Sequence, residues 1–140
     1  MKKFKFLAHT ADIKFQAFGS NLENCFENAA LALKKIINKE KVNEKIKKQI
    51  KVKGKDLESL LYNLLEELLF LFETKDFIWD KLKIKIKDQD KKLELNAEVL
   101  GDNIKNYRVR GIVKAITYNE MFVKINEKKH QYVCQVVVDV

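Results

Sequence analysis

The sequence predicts an α+β fold, a single compact domain in which two α-helices pack with antiparallel or mixed β-sheets. Two segments repeat apolar residues every three or four positions, which is the spacing of amphipathic helices. Most other segments alternate apolar and polar residues with the two-residue period of β-strands. The length of 140 residues and the hydrophobic fraction of 46% fit one globular domain, residues 1–140, with its own core.

The first part of the chain predicts two strands followed by a helix. Residues 2–8 and 13–19 alternate in polarity, so we expect two strands joined across the segment AHTAD. Ser20 and Glu23 have the spacing of a capping box, in which the serine caps the helix start and the glutamate reaches back. Apolar residues then recur at helical spacing from Leu22 onward, so this helix is expected to bury one stripe.

Strands and one further helix account for the rest of the chain. A lysine-rich strand ends at Gly54, and Asp56 is expected to cap a helix with the sequence LESLLYNLLEELLFLFE. Because this helix is apolar around most of its circumference, we expect it to be the central core element, flanked by sheet and by the first helix. Further strands are predicted at 78–87, 92–100, 108–118, 121–126 and 131–138.

The charge of the chain allows two interpretations. A formal net charge of +8 indicates affinity for phosphate-rich partners such as RNA. The excess is mostly lysine spread through strands such as DKLKIKIKD, and such lysines equally occur on sheet faces that simply contact solvent. Weak direct contact with RNA therefore stays open beside the solvated-face interpretation.

The cysteines and the apolar runs indicate a cellular setting. Cys25 and Cys134 lack the CxxC spacing of zinc or redox sites, so both are expected to be reduced thiols in the core. The opening MKKFKF does not have the pattern of a signal peptide, and no apolar run approaches the ~20 residues that span a bilayer. These features predict a cytoplasmic protein without a membrane partner.

The C-terminal strand ends in acidic groups. Counting by twos predicts one face with Asp139, Val137, Gln135 and Val133 and an opposite face with Val138, Val136, Cys134 and Tyr132. Because apolar residues occupy both faces, the strand is expected to be central in its sheet. A carboxylate at the end of a buried strand is costly to desolvate unless a cation, a metal or amide donors meet it. Asp139 stands beside the α-carboxylate of Val140, and Asp12 ends the turn between the first two strands. Together they would form an oxygen-only cluster suited to a hard divalent ion such as calcium or magnesium.

Four other residues could support this cluster. Lys114 is expected on the same face of a predicted strand as Tyr118. Its ammonium could neutralise the acids or hold a substrate phosphate. Thr117 and Tyr118 could add hydroxyl contacts, and His9 is the one nearby imidazole. Simpler roles exist for these candidates. In the simpler interpretation Asp12 caps a turn, Asp139 is a solvated tail residue, His9 bonds a backbone carbonyl and Lys114 extends into solvent. Thr117 and Tyr118 are residue types that strands favour for packing alone.

The sequence does not contain a familiar catalytic set. It lacks a phosphate-binding glycine loop, a GxSxG nucleophile motif and the metalloprotease motif HExxH. An independent enzyme, including a free-standing metal-dependent hydrolase, is therefore disfavoured.

Five motifs together resemble the archease family nearly end to end. In order they are HTAD, the helix start GSNLENCFENAA, the helix LESLLYNLLEELLFLFE, VKAITY and the terminal VVVDV. The resemblance implies a non-catalytic partner of the RtcB-type RNA-splicing ligase, which joins tRNA halves after intron removal. The ligase holds the active site, and the partner promotes metal-dependent guanylylation of the ligase histidine by GTP and repeated turnover. Contact with tRNA is then indirect, through the ligase.

The resemblance also implies a set of site residues. The family's metal ligands match Asp12, Asp139 and the terminal Val140, with calcium the favoured ion and magnesium or manganese the alternatives. The chain departs from the family pattern at four positions, which puts in doubt any role of the family's histidines and the detailed fit to a ligase. Lys14 stands where the family has glycine, and Tyr132 stands where it has tryptophan. Tyr107 and Asn119 each stand where the family has histidine.

One alternative function is compatible with the same sequence. The lysine-rich faces could make the protein a basic RNA-binding or chaperone-like module that acts on tRNA or on tRNA-processing enzymes. Salt-sensitive binding to tRNA alone would distinguish this function from ligase activation.

Overall fold

The computed structural model describes residues 2–8, 11–109 and 111–140, and these ranges contain two α-helices and seven β-strands. In chain order the elements are β1 (Phe4–Leu7), β2 (Ile13–Gly19), α1 (Leu22–Ile37), β3 (Ile46–Gly54), α2 (Leu57–Lys75), β4 (Phe77–Gln89), β5 (Lys92–Asn103), β6 (Ala115–Asn126) and β7 (Gln131–Asp139). The predicted α+β fold with two helices is confirmed.

The strands form two antiparallel sheets on either side of the helices. One sheet has the order β1-β2-β7-β6 and the other the order β3-β5-β4. Helix α1 packs against β2 and β7 on one side and against β4 on the other, while α2 contacts β6 and the three-stranded sheet. Each sheet therefore has one face on the helices and one outer face. The central position predicted for the last strand is confirmed, because β7 lies between β2 and β6.

The helix starts confirm one predicted cap and correct the other. Asp56 caps α2, and its carboxylate accepts a hydrogen bond from the Ser59 amide at 2.7 Å, as predicted. The capping box predicted at Ser20 is wrong, because Asn21 is the N-cap of α1 and its Oδ1 accepts from the Asn24 amide at 2.7 Å. Ser20 and Asn21 are both good caps, so local sequence does not distinguish between them.

The strand predicted at 108–118 is confirmed only over its last four residues, 115–118, which belong to β6. The segment before β6 instead packs on the end of α1, where the Gly111 amide donates to the Ile37 carbonyl at 3.3 Å. A β-carbon on Gly111 would lie 2.2 Å from the Ile36 carbonyl oxygen, so the approach requires glycine. The strand then starts at Ala115 and joins the predicted 121–126 strand through a bulge.

Aromatic and aliphatic side chains fill the space between the sheets. Trp79 is fully buried on β4, and its indole N–H donates to the Ala30 carbonyl of α1 at 2.8 Å. Cys25 and Cys134 are free and fully buried, as predicted. They also contact each other, and the Cys25 thiol together with burial raises the pKa of Cys134.

Neither helix in the described ranges combines the length with the apolar character that a bilayer crossing needs.

Candidate functional site

The register of β2 against β7 carries Asp12 to the position opposite Asp139. Ile13 pairs with Val138 in the antiparallel ladder, so the residue before Ile13 and the residue after Val138 come next in register. Opposed residues in such a ladder place their side chains on the same face, with β-carbons about 5 Å apart. Both aspartates are half-buried. Two acids more than 120 positions apart in sequence thus share one end of the sheet.

These aspartates belong to the outer face of the four-stranded sheet. Phe15 and Val136 pair with each other and are fully buried against the helices. Because side chains alternate along a strand, Asp139 lies on the face away from the helices, and the same alternation continued one residue before β2 would put Asp12 there as well. The parity predicted for the last strand is confirmed by this arrangement.

The start of β6 adds a third strand end to the site. Ala115 pairs with Asp139, and the Lys114 amide donates to the Asp139 carbonyl at 2.8 Å. Lys114 therefore stands next to Val140 in register. Its side chain is exposed, and within the described residues it forms no ion pair with Asp12 or Asp139. The supporting role of the Lys114 ammonium stays a prediction.

The two aspartates fit a hard cation by their chemistry. Within residues 2–8, 11–109 and 111–140, neither carboxylate receives a hydrogen bond or an ion pair from the protein. No three His, Cys, Asp or Glu side chains of these ranges form a metal-binding group, so a site here needs another oxygen donor. The α-carboxylate expected at Val140 would be such a donor, and calcium and magnesium prefer all-oxygen sites. The metal site stays a prediction.

Lys14 is a neighbour of the site that sequence reasoning did not assign to it. It lies two residues after Asp12 on the same outer face, and only 18% of its side chain is exposed. Its ammonium lies 3.4 Å from the Glu120 carboxylate. Strand alternation alone could have placed Lys14 beside Asp12. A lysine held by Glu120 thus stands two residues after Asp12, where the archease resemblance expects glycine.

A bulge in β6 brings Glu120 over this face. Thr117 pairs with Val137, yet Phe122 pairs with Gln135, so residues 118–121 bulge from the ladder. Glu120 has a φ of 54°, a left-handed conformation. The Gln135 side-chain amide donates to the Glu120 carbonyl at 2.9 Å and fixes the bulge. No sequence signal beyond the turn residues of YNE marks this feature.

The other supporting candidates are placed differently. The Thr117 hydroxyl donates to the Val137 carbonyl at 2.7 Å, so it is joined to the strand that carries Asp139. Tyr118 stacks on Tyr62 of α2, with ring centroids 4.2 Å apart. Burial and two carboxylates of α2 and its cap raise the pKa of Tyr118. His9 lies outside the described residues.

Two positions that depart from the family pattern lie away from the acids. Tyr132 is opposite Gly19, at the far end of β7 from Asp139. The Tyr107 hydroxyl donates to the Asp102 carboxylate at 2.7 Å and accepts from the Asn43 amide at 2.8 Å. Burial raises the pKa of Tyr107, whereas the hydrogen bond from Tyr107 lowers the pKa of Asp102. This tyrosine therefore anchors a loop.

The fold defines a small α+β protein, with two antiparallel sheets around two helices. The family is shown by its sequence model. The chain belongs to the archease family, because the model described as the Archease protein family (MTH1598/TM1083) matches residues 4–140.

Individual relatives match over nearly their whole length. Protein archease of Methanosarcina barkeri is 38% identical over 143 residues, which cover 99% of this chain and 97% of the relative. Protein archease of Sulfurisphaera tokodaii is also 38% identical over 143 residues, and all of both chains is covered. The solution structure of Methanobacterium thermoautotrophicum protein 1598 matches with a TM-score of 0.87 at 34% identity, over 100% of both chains.

Membership of this family supports a general role in tRNA processing, as an activator of a tRNA-splicing ligase. It implies association with RNA-processing enzymes and suggests that the protein is not itself a catalyst.

Proposed function

We propose that this protein activates an RtcB-type tRNA-splicing ligase by promoting its metal-dependent guanylylation with GTP and its multiple turnover. In this proposal the protein contributes ligands and position, and the ligase contributes the active site. Contact with tRNA is made mainly through the ligase.

The observation that carries the proposal is the register of β2 and β7. The ladder ends at the Ile13–Val138 pair, and its continuation by one residue supports a position for Asp12 opposite Asp139, with Val140 next in the chain. Neither carboxylate forms an ion pair with, or accepts a hydrogen bond from, another of the described residues. Two half-buried carboxylates that repel each other are stabilised when a divalent ion is shared between them.

Each residue has a defined task in the proposal. The side chains of Asp12 and Asp139 and the α-carboxylate of Val140 hold the ion, with calcium favoured over magnesium or manganese. A bound divalent ion supplies positive charge that can offset the phosphates of GTP during phosphoryl transfer. Lys114, whose backbone is bonded to Asp139, steadies acidic or phosphate groups nearby.

Ligase–GMP formation tests the proposal directly. A cognate ligase, GTP and a limiting concentration of divalent ion are mixed with the protein or with its Asp12→Asn or Asp139→Asn variant. Both variants should lose stimulation while their circular dichroism and melting temperature stay close to those of the parent. Asp88→Asn is the matched control, because it removes one exposed carboxylate of the other sheet. Full stimulation by both site variants would contradict the proposal.

Metal binding gives a second readout that does not depend on a ligase. Isothermal titration with calcium should show binding to the parent protein and to Asp88→Asn, and weak or absent binding to the two site variants. Adding glycine and serine after Val140 moves the α-carboxylate away without changing either aspartate. This extended protein should also bind calcium more weakly, and unchanged affinity would exclude the terminal carboxylate from the ligand set.

A further inference from the structure

The outer face of the three-stranded sheet carries two rows of lysine side chains. β3 contributes Lys47, Lys51 and Lys53, and β4 contributes every second residue from Lys81 to Lys87. All seven are exposed. The central strand β5 adds Lys92, Glu94 and Glu98 to this face, and Lys81 also lies 3.1 Å from Glu44, in the segment before β3. We call this surface the lysine face, and its eight strand lysines exceed its two strand glutamates by six positive charges.

The register makes the two rows regular. Lys51 and Lys85 both pair with Asn96, and Lys53 and Lys87 both pair with Glu94. Paired lysines are therefore two strand spacings apart, about 10 Å, and neighbours along one strand are about 7 Å apart. The lysine face presents a grid of point charges on a rigid, hydrogen-bonded support.

The glutamates do not neutralise the grid. Lys51 lies 3.3 Å from Glu94, while Lys47 and Lys83 lie 3.8 and 4.0 Å from the two carboxylate oxygens of Glu98. In the described part of the chain, Lys53, Lys85 and Lys87 form no ion pair. The lysine face therefore keeps a net positive charge, which an anionic partner can neutralise.

We propose that the lysine face binds the phosphate backbone of double-helical RNA. Lysine binds phosphate as a point charge without requiring a fixed base sequence. The face does not include an aromatic side chain, whereas platforms for single-stranded nucleic acid stack bases on aromatic rings. Its one apolar member is Leu100, half-buried on β5, whereas the cores of protein interfaces are depleted in lysine and rich in aromatic residues.

Family membership favours an RNA duplex over a DNA duplex as the partner of the lysine face, because the family implies association with RNA-processing enzymes. The proposal does not depend on the metal site at the ends of β2 and β7, since the lysine face belongs to the other sheet.

The experiment measures the salt dependence of binding to a fluorescently labelled RNA duplex of about 20 base pairs by fluorescence anisotropy. The test variant changes Lys53, Lys85 and Lys87 to glutamine. Each phosphate contact contributes about 0.9 to the slope of log affinity against log salt, so the slope should fall by about 2 to 3. The control variant changes three lysines on the outer face of the other sheet to glutamine, Lys3, Lys5 and Lys124, and should alter the slope by less than about 1.

A gain-of-binding variant makes the test independent of any loss of stability. Glu94→Gln with Glu98→Gln removes both negative charges of the face and should tighten RNA binding at low salt. Equal losses by the test and control variants would overturn the proposal in favour of diffuse attraction by net charge. Tighter binding to single-stranded RNA or to a DNA duplex, or displacement of the RNA by polyglutamate at equal charge concentration, would overturn the choice of partner.

Discussion

Replacing Lys14 with glutamine should tighten calcium binding at the proposed site. Lys14 is on the same face as Asp12, two residues along β2, and its ammonium is held in place by Glu120 at 3.4 Å. The substitution removes one fixed positive charge, the Lys14 ammonium, from near the position where the cation would bind. The surroundings of the site become more negative by that one charge.

The size of the effect follows from the strand geometry. Side chains two residues apart on one face are separated by about 7 Å. At that distance a divalent ion and an ammonium repel each other by about 1 kcal/mol in the dielectric of water, which corresponds to about a fivefold change in Kd. Screening at ~0.15 M salt, where the Debye length is about 8 Å, roughly halves this energy and leaves about a twofold effect.

Isothermal titration of calcium at low and at physiological salt measures both values. Lys124→Gln is the control, because Lys124 is on the same outer face but pairs with Val133, far from Asp139 along β7. Its affinity for calcium should be close to that of the parent. If Lys14→Gln bound calcium no more tightly than the parent, or if salt left its advantage unchanged, the electrostatic reasoning would be refuted.

Three further predictions concern stability and reactivity. Trp79→Phe should cost about 2 kcal/mol, since it removes the hydrogen bond to Ala30 and leaves a void in the core, and urea unfolding followed by circular dichroism measures this. Asp56→Ala should cost about 1 kcal/mol near neutral pH. Because hydrogen bonds from Ser59 lower the pKa of Asp56 from its ordinary 3.8, the difference from the parent should persist above that pH and vanish as the pH falls through the lowered pKa. The raised pKa and burial of Cys134 should prevent alkylation by iodoacetamide at pH 8 in the folded protein, with full modification after denaturation, as mass spectrometry would show.

The parts of the fold that were predicted correctly rest on local signals. Asp56 caps α2 because its carboxylate reaches an amide three residues away, an interaction that short sequence already specifies. The segment before β6 shows the opposite case. Its alternation is compatible with a strand, but the Gly111 amide bonds to Ile37, more than 70 positions earlier. Sequence periodicity does not report such a distant acceptor.

The candidate site also combines features that local sequence predicts with features that depend on tertiary packing. Strand parity placed Asp139 and Val137 on one face of the last strand, and the structure agrees because parity is local. The pairing of Lys14 with Glu120 depends on the β6 bulge and on the Gln135 amide that holds it. Contact between Cys25 and Cys134 likewise requires α1 to pack on β7. These contacts follow from tertiary packing, which alternation does not encode.

The hydrophobic register of β2 is what brings the two aspartates together. A slip of one residue against β7 would turn every side chain of β2 to the opposite face. Phe15, now fully buried, would then face solvent at a cost of about 2 to 3 kcal/mol, and Asp12 would face the helices. The register is therefore set by core residues that do not themselves touch the proposed ion. It follows that the acids can be replaced without loss of the fold, whereas a change that weakens the packing of Phe15 displaces Asp12 from Asp139 as well.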